Sequence, residues 1–322
     1  MLRAISHMPH ALSGATSYVP RATCLFACLL AVLLVTCAPR ETYGQNASTL
    51  ALLPFENVSG SVDSVRIIMP LIEQSLHEKG YRVIGPDKIE SFLSRNHIRN
   101  TGMLSRAQLK NLRGEFGADV ALVGSVDLFY ESADNPQWGV SSRMVSTNEA
   151  TVLWAESTGR TGGDYTGMLG LGTITSGHDL AREVVKILFQ TLPLPGPSFN
   201  APQQRQSSGV RSLGSGGGYR HPALDTAPRW RVGVTVFENA SDRRGAGRIL
   251  TDVFTTTLFH HGRFQLIDPG ETNEALIALG RVPYGGMDVA TLRDIKNRTG
   301  NDVIFLGTVY RYNEGLKREA TT

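Results

Sequence analysis

The chain has 322 residues, with 32 basic and 29 acidic side chains and a formal net charge of +3. Arg3 and Arg21 precede Cys37, so the body beyond that cysteine carries 30 basic residues against 29 acidic ones; this balance excludes any charge-based case for nucleic acid or for an electrostatically held membrane surface. All three cysteines, Cys24, Cys28 and Cys37, lie near the amino terminus, so the body has no disulfide and each domain must hold itself together by burial.

Residues 1–44 read as an export leader. Arg3 and Arg21 supply its positive region, and Leu25 to Thr36 is an apolar run of 12 residues, short of the roughly 20 that a permanent span needs. The run ends Leu34-Val35-Thr36-Cys37. That ending resembles a bacterial lipobox, in which the cysteine is lipidated and becomes the new N-terminus, although Thr36 stands where Gly, Ala or Ser is usual. Thr42-Tyr43-Gly44 offers an ordinary signal-peptidase exit before Gln45. The mature chain is expected to begin at Cys37, with a lipid, or after Gly44, without one; in the plainest reading the run is a buried N-terminal helix.

The body then reads as a first domain over residues 48–194. Ser48 to Leu53 is a short apolar run ended by Pro54 and predicts a buried strand. Ile68, Leu71, Ile72 and Leu76 follow at helical spacing with Gly80 as the stop; Pro70 inside the pattern predicts a kink or a helix that begins near it. Arg82 to Ile84 is a second strand, and Asp87 to Glu90 has the pattern of a capping box for a short helix carrying Phe92 and Leu93. Ser105 to Gln108 is another such box, opening a helix with Leu109, Leu112 and Phe116 on one side. Val120 to Leu128 is apolar enough to be a central strand. Val140 to Thr147 and Thr151 to Thr158 predict a hairpin, in which Arg143 and Glu156 fit a water-facing side. A glycine-rich loop, Gly159 to Gly177, leads to a last helix on Leu180, Val184, Ile187 and Leu188. Residues 195–228, rich in Gly, Ser, Pro and Gln, predict a flexible linker.

Beyond the linker the chain repeats the motifs of the first domain. Leu50-Ala-Leu-Leu-Pro-Phe-Glu-Asn-Val-Ser59 reappears as Val232-Gly-Val-Thr-Val-Phe-Glu-Asn-Ala-Ser241, and Gly117-Ala-Asp-Val-Ala-Leu-Val-Gly-Ser-Val126 as Gly300-Asn-Asp-Val-Ile-Phe-Leu-Gly-Thr-Val309. The offset is 182 at Phe55/Phe237 and 183 at Asp119/Asp302, a period far too long for a solenoid. A second domain over residues 229–322 copies the helical pattern at Leu250, Val253, Phe254 and Leu258 and reaches a third strand at Val303 to Val309. The hairpin and closing helix have no counterpart there, which leaves an exposed sheet edge. The expectation is a truncated product, or completion of the sheet by another segment. The fold class is thus α/β, two tandem domains with mixed sheets, the second incomplete.

These motifs resemble bacterial envelope lipoproteins of the CsgG type, the N-terminal domain of TolB, and the lipoprotein activators of penicillin-binding proteins. Thr151-Val-Leu-Trp154 after Asn148-Glu149 is similar to the Trp-bearing hairpin of such lipoproteins. The resemblance implies a non-enzymatic domain that binds partner proteins in the periplasm, often as a homo-oligomer, and that is held to the outer membrane through Cys37. Channels of the CsgG type are the alternative that it raises; they insert hairpins of clean alternation into lipid. Trp138, Val140, Ser142, Met144 and Ser146, the best stretch here, is too polar for that.

The residues themselves carry no catalytic signature. The glycines of 162–172 lack a following GK[ST], the histidines do not cluster, and no HExxH, CxxC or G-x-S-x-G appears. No metal, cofactor or nucleic acid is expected. The candidate partner-binding residues are Phe55, Glu56 and Asn57 and their repeats Phe237, Glu238 and Asn239, at the end of the first strand of each domain. In the plainer reading Phe anchors the core and Asn and Ser cap the turn. Asp119 and Asp302, ahead of the third strand, suit a turn or cap role. Two weak sites, one per domain and joined by the linker, would bind with avidity.

Overall fold

The computed structural model describes residues 48–167, 171–196, 229–281 and 286–313. The leader with Cys37 and most of the Gly/Ser/Pro/Gln-rich segment, including its glycine run at 214–218, lie outside the described residues.

The first repeat is a mixed sheet with helices on both faces. Its strands are β1 (Thr49–Leu52), β2 (Glu56–Asn57), β3 (Arg82–Val83), β4 (Val120–Tyr130), β5 (Gln137–Ser146) and β6 (Val152–Thr161). The order is β3-β1-β4-β5-β6, parallel on the β1 side and antiparallel from β4 onward, with β2 paired to β4. The long apolar run at Val120 is therefore the central strand, as its composition requires.

Strand alternation sends Leu50, Leu52, Val120, Leu122, Trp138, Val140, Met144 and Trp154 to one face. There they meet helices α1 (Val62–Glu78) and α4 (Gly177–Leu188), through Ile68, Ile72 and Leu76 of the first and Leu180, Val184 and Leu188 of the second. Both tryptophans keep their N–H groups satisfied: Trp138 donates to the Gly177 carbonyl at 2.8 Å and Trp154 to Thr191 Oγ1 at 3.1 Å. The opposite face, at Ala51, Leu53, Ala121, Val123 and Val145, is covered by α2 (Pro86–Arg95) and α3 (Arg106–Phe116), through Ile89, Phe92, Leu109 and Leu112.

Local signals worked unevenly. The box at Ser105 forms in full, with Ser105 accepting from the Gln108 N–H and Gln108 accepting from the Ser105 N–H. The box expected at Asp87 does not form. Pro86 takes the first helical position behind Gly85, which has no side chain to cap with, and Asp87 falls inside the first turn. The helix expected to begin near Pro70 instead begins at Val62 and continues through the proline, because its buried stripe packs on both sides of that residue.

The second repeat builds the same opening. Strands β7 (Trp230–Val234), β8 (Glu238–Asn239), β9 (Phe264–Ile267), β10 (Val303–Phe305) and β11 (Thr308–Val309) accompany helices α5 (Ala246–His261), α6 (Pro269–Ala278) and α7 (Val289–Thr299). The parallel order β10-β7-β9 repeats β4-β1-β3, and β11 pairs with β8 as β4 pairs with β2. The third strand, continuous in the first repeat, is broken here between Phe305 and Thr308. Among the described residues no strand lies on the outer side of β10.

The identical motifs do identical work. Asp119 and Asp302 each accept from a backbone N–H near the start of the first strand, from Thr49 at 3.2 Å and from Arg231 at 3.1 Å, while their own N–H groups bond back to the carbonyls of those residues. The Arg231 amide holds the Asp302 carboxyl below its ordinary range. Gly117 and Gly300 close the preceding helices with φ of 66° and 73°, a conformation in which a side chain is strained.

The last surface of the first repeat's sheet was expected to face water. It does not. Ser125, Asp127, Ser141, Arg143 and Ser157 share a face with Val123 and Val145, and helix α5 of the second repeat lies across it. Arg143 retains only 3% of its side-chain exposure; Glu156, opposite Ser142 in register, falls on the other face with Trp154, half-buried, hydrogen-bonded to Thr191 and 3.4 Å from His260. With α1 and α4 on one side and α5 on the other, β5 offers no free face to lipid. The same contact changes the reading of α5. Its apolar stripe at Leu250, Phe254 and Leu258 is only half-buried and Val253 is exposed, whereas Arg248, Thr251, Asp252, Thr255 and Thr256 are buried. The hydroxyls of Thr251 and Thr255 donate to the helix's own carbonyls at 2.7 Å, and Thr251 also accepts from the Phe237 N–H at 2.9 Å.

Candidate functional site

In each repeat the Phe-Glu-Asn tripeptide follows the first strand and turns the chain into the next helix. Asn57 holds that turn: its Oδ1 accepts from the Gly60 N–H at 3.0 Å and from Ser59 Oγ at 2.8 Å, and its Nδ2 donates to the Ser61 carbonyl. Asn239 does the same with the Ser241 N–H, Ser241 Oγ and the Arg243 carbonyl. Phe55 is buried on the bare backbone of Gly124, and Phe237, half-buried, on Gly307. The Gly in the later Val-Gly-Ser-Val and Leu-Gly-Thr-Val motifs is the seat of the earlier phenylalanine. Phe and Asn thus have structural employment, and so do the half-buried glutamates: Glu56 accepts from the Gly102 N–H and Glu238 from Thr308 Oγ1.

The fold brings the two tripeptides together. Glu56, Asn57, Phe237, Glu238 and Asn239 line one cleft of about 900 Å3 between the repeats. Its other walls include Arg244, Arg281, Asn100, Asn273 and the exposed Ile277. Of the six candidate residues five thus lie on one cleft, and Phe55 stays in the core.

Two of the lining residues, Glu56 and Arg248, belong to a buried ionic cluster that the sequence reading missed. Arg143 donates to Asp268 at 2.6 Å, to Asp252 at 2.8 Å and to the Gly102 carbonyl at 2.5 Å. Arg248 donates to Asp252 at 2.9 Å and to the same Gly102 carbonyl at 2.8 Å, and lies 3.5 Å from Glu56, whose other oxygen accepts from the Gly102 N–H. Any side chain at Gly102 would strike Arg248 and Glu56. Burial opposes the charge on Arg143, but Asp268 and Asp252 outweigh it and hold the guanidinium ionised. Asp127 lies at the far end, accepting from Ser125 and Ser141 at 2.5 Å each. Its burial, and then the Asp252 charge, push its carboxyl up to about 7. A signal for this cluster did exist: a lone arginine within an otherwise buried strand, and an Arg248/Asp252 pair at i, i+4.

Asp127 gives the contact a pH dependence. Its proton is held more tightly in the folded chain than in the unfolded one, so its stabilising contribution is complete below about pH 4, falls as pH rises and is gone above about 7. Asp127→Asn removes this slope. Denaturant midpoints at pH 5 and pH 8 should differ less in the variant, by on the order of 2 kcal/mol; an unchanged difference would show that Asp127 is ionised throughout.

Among the described residues no group of His, Cys, Asp or Glu is placed to hold a metal. His260 contacts the Ala155 carbonyl and Glu156, while His261 stacks on Phe264, so the adjacent pair diverges.

Residues 42–171, less than half of the chain, match the family model of GNA1162-like lipoproteins. No curated protein matches. Among solved structures, lipoprotein GNA1162 from Neisseria meningitidis is similar at 19% identity and a TM-score of 0.34, over 44% of this chain and 96% of that one. The PelC dodecamer from Paraburkholderia phytofirmans is similar at 14% identity and 0.32, over 45% of this chain and 85% of that one. The LpoB C-terminal domain from Escherichia coli is similar at 10% and 0.29, over 40% of this chain and 93% of that one. The family match falls within the leader and first repeat, and that family is described by another name than the CsgG and TolB types that its motifs resemble.

Proposed function

We propose that this protein is a non-enzymatic lipoprotein of the bacterial cell envelope, anchored through Cys37, that binds a partner protein in the cleft between its repeats. The observation that carries this reading is the convergence of the two Phe-Glu-Asn loops, 182 residues apart in sequence, on one cleft. The walls mix Glu56 and Glu238 with Arg244 and Arg281 around the exposed Ile277. That composition suits a protein segment with polar contacts around an apolar anchor better than a small charged ligand. The match to a lipoprotein family and the lipobox-like Leu34-Val35-Thr36-Cys37 support the envelope address.

The test uses the full chain with its own leader in bacterial cells. Expected are a lipid mass on Cys37, lost with Cys37→Ala, and one envelope protein recovered by crosslinking in amounts that fall at least tenfold with Arg244→Glu plus Ile277→Asp. Both side chains of that pair are on the wall rather than in the fold's core, so circular dichroism should stay unchanged. Recovery indifferent to the pair, or a cytoplasmic chain, would overturn the proposal.

A further inference from the structure

A cavity of about 310 Å3 lies on the seam between the repeats and shares no lining residue with the cleft described above. One of its sides is the turn that joins β5 to β6, and the other is the end of α5 with the start of β9. The turn is pinned to the second repeat: Ala150 accepts from the Asp268 N–H at 2.8 Å, and Thr151 forms an antiparallel bridge with Ile267. Docking of the repeats therefore sets the walls, and a ligand held between them touches both.

The polar groups on these walls are uncommitted. Thr151 is only 4% exposed, yet among the described residues its hydroxyl has no hydrogen-bond partner. That hydroxyl is not sealed from solvent, so it opens on the cavity that Thr151 lines. The side chains of Asn148, Glu149 and Arg229 likewise have no hydrogen bond or ion pair among the described residues. Arg113 lies 3.9 Å from Asp119, a loose pair that leaves its donors available. Phe259 and Phe264, both half-buried, supply an apolar wall.

This lining selects its ligand by three requirements. The guanidiniums of Arg113 and Arg229 match an oxyanion such as a carboxylate. Glu149 requires an N–H donor and repels any anion that brings none. The two phenylalanines call for an apolar group. A peptide ending in an apolar residue carries all three together: an α-carboxylate, a backbone N–H and the last side chain. A fatty acid or a phosphate lacks the N–H. We propose that this cavity captures the free carboxyl end of a peptide whose last residue is apolar, and that the captured end clasps the two repeats to each other.

The experiment titrates the purified full chain, by calorimetry, with acetylated tripeptides ending in leucine or phenylalanine, their carboxamide forms, octanoate and inorganic phosphate. The free-acid peptides should bind at least tenfold more tightly than the carboxamides, the loss of one charge-assisted bond, and more tightly than octanoate or phosphate. Arg229→Gln should remove the preference for the free acid. Glu149→Gln should weaken the peptides and strengthen octanoate, a reversal that a merely structural role would not produce. Both side chains lie outside the core, so circular dichroism should be unchanged. With peptide bound, hydrogen exchange should slow at residues 146–153 and 262–267 together. Equal binding of the carboxamides, tighter binding of octanoate or phosphate, a preference that survives Arg229→Gln, no saturable binding, or protection on one side of the seam alone would each overturn the proposal. Arg244→Glu with Ile277→Asp should leave peptide binding intact, which separates this cavity from the cleft.

Discussion

Replacing Arg143 by Met will release the second repeat from the first while the first stays folded. The side chain has only 3% exposure and ties together Asp252, Asp268 and the Gly102 carbonyl. Methionine fills similar space without charge, but it leaves two buried carboxylates facing each other. Asp252 keeps Arg248, and Asp268 keeps only the Gly270 N–H as its side-chain cap. Removing one partner of a buried pair typically costs about 3–5 kcal/mol, a factor of several hundred or more in the docking equilibrium. Hydrogen exchange should show amides of Ala246–His261 losing protection, while tryptophan emission from Trp138 and Trp154 stays blue-shifted. Adding Asp252→Asn and Asp268→Asn to Arg143→Met should recover part of the loss, because the uncompensated charges rather than the missing contact dominate. Unchanged protection in the single variant would mean that the apolar contacts of Val152 and Ala155 with Val232, Leu266 and Phe259 hold the repeats together unaided.

The second large effect is expected at Gly124→Val. A Cβ there would lie 2.5 Å from the Phe55 ring and 2.6 Å from the Ser141 carbonyl oxygen. The ring is locked in a full core and the carbonyl belongs to the neighbouring strand, so neither can yield. Overpacking commonly costs about 1–3 kcal/mol, and this site belongs at or beyond the upper end. Gly307→Val, its counterpart, meets the Phe237 ring at 2.9 Å with that ring half-buried, and should cost distinctly less. Denaturant unfolding of both variants tests the ranking. Equal costs would show that Phe55 can turn aside, and that the Phe/Gly seating is looser than the geometry indicates.

That pair also shows what could be read from sequence and what could not. The duplicated tripeptide and the duplicated Gly looked like independent motifs, yet one is the socket of the other; their constant spacing was the legible trace of a contact. Asp119 and Asp302 were legible as turn residues because their bonds are local to one sheet. The contact between repeats was not. Ser125, Asp127, Ser141, Arg143 and Ser157 alternate with apolar neighbours, as residues at a water-facing surface would. Only their complement on α5 reveals that the surface is dry. For the same reason the stripe at Leu250, Phe254 and Leu258 is legible as a stripe but less buried than its pattern implies: the buried side of α5 is the polar one. Pro70 misled because a proline rule describes a helix in isolation, whereas the stripe of Ile68, Ile72 and Leu76 is held on a sheet.

The threonines of α5 have a consequence for the chain before its two halves meet. The hydroxyls of Thr251 and Thr255 are bonded to their own helix, and the methyl groups beside them are too small to form a sticky patch. A leucine-faced helix would expose an apolar stripe while the halves are apart. A face of threonines with Arg248 and Asp252 among them is instead one that water can satisfy. The surface that the two halves bury together is thus not one that has to be hidden before they meet.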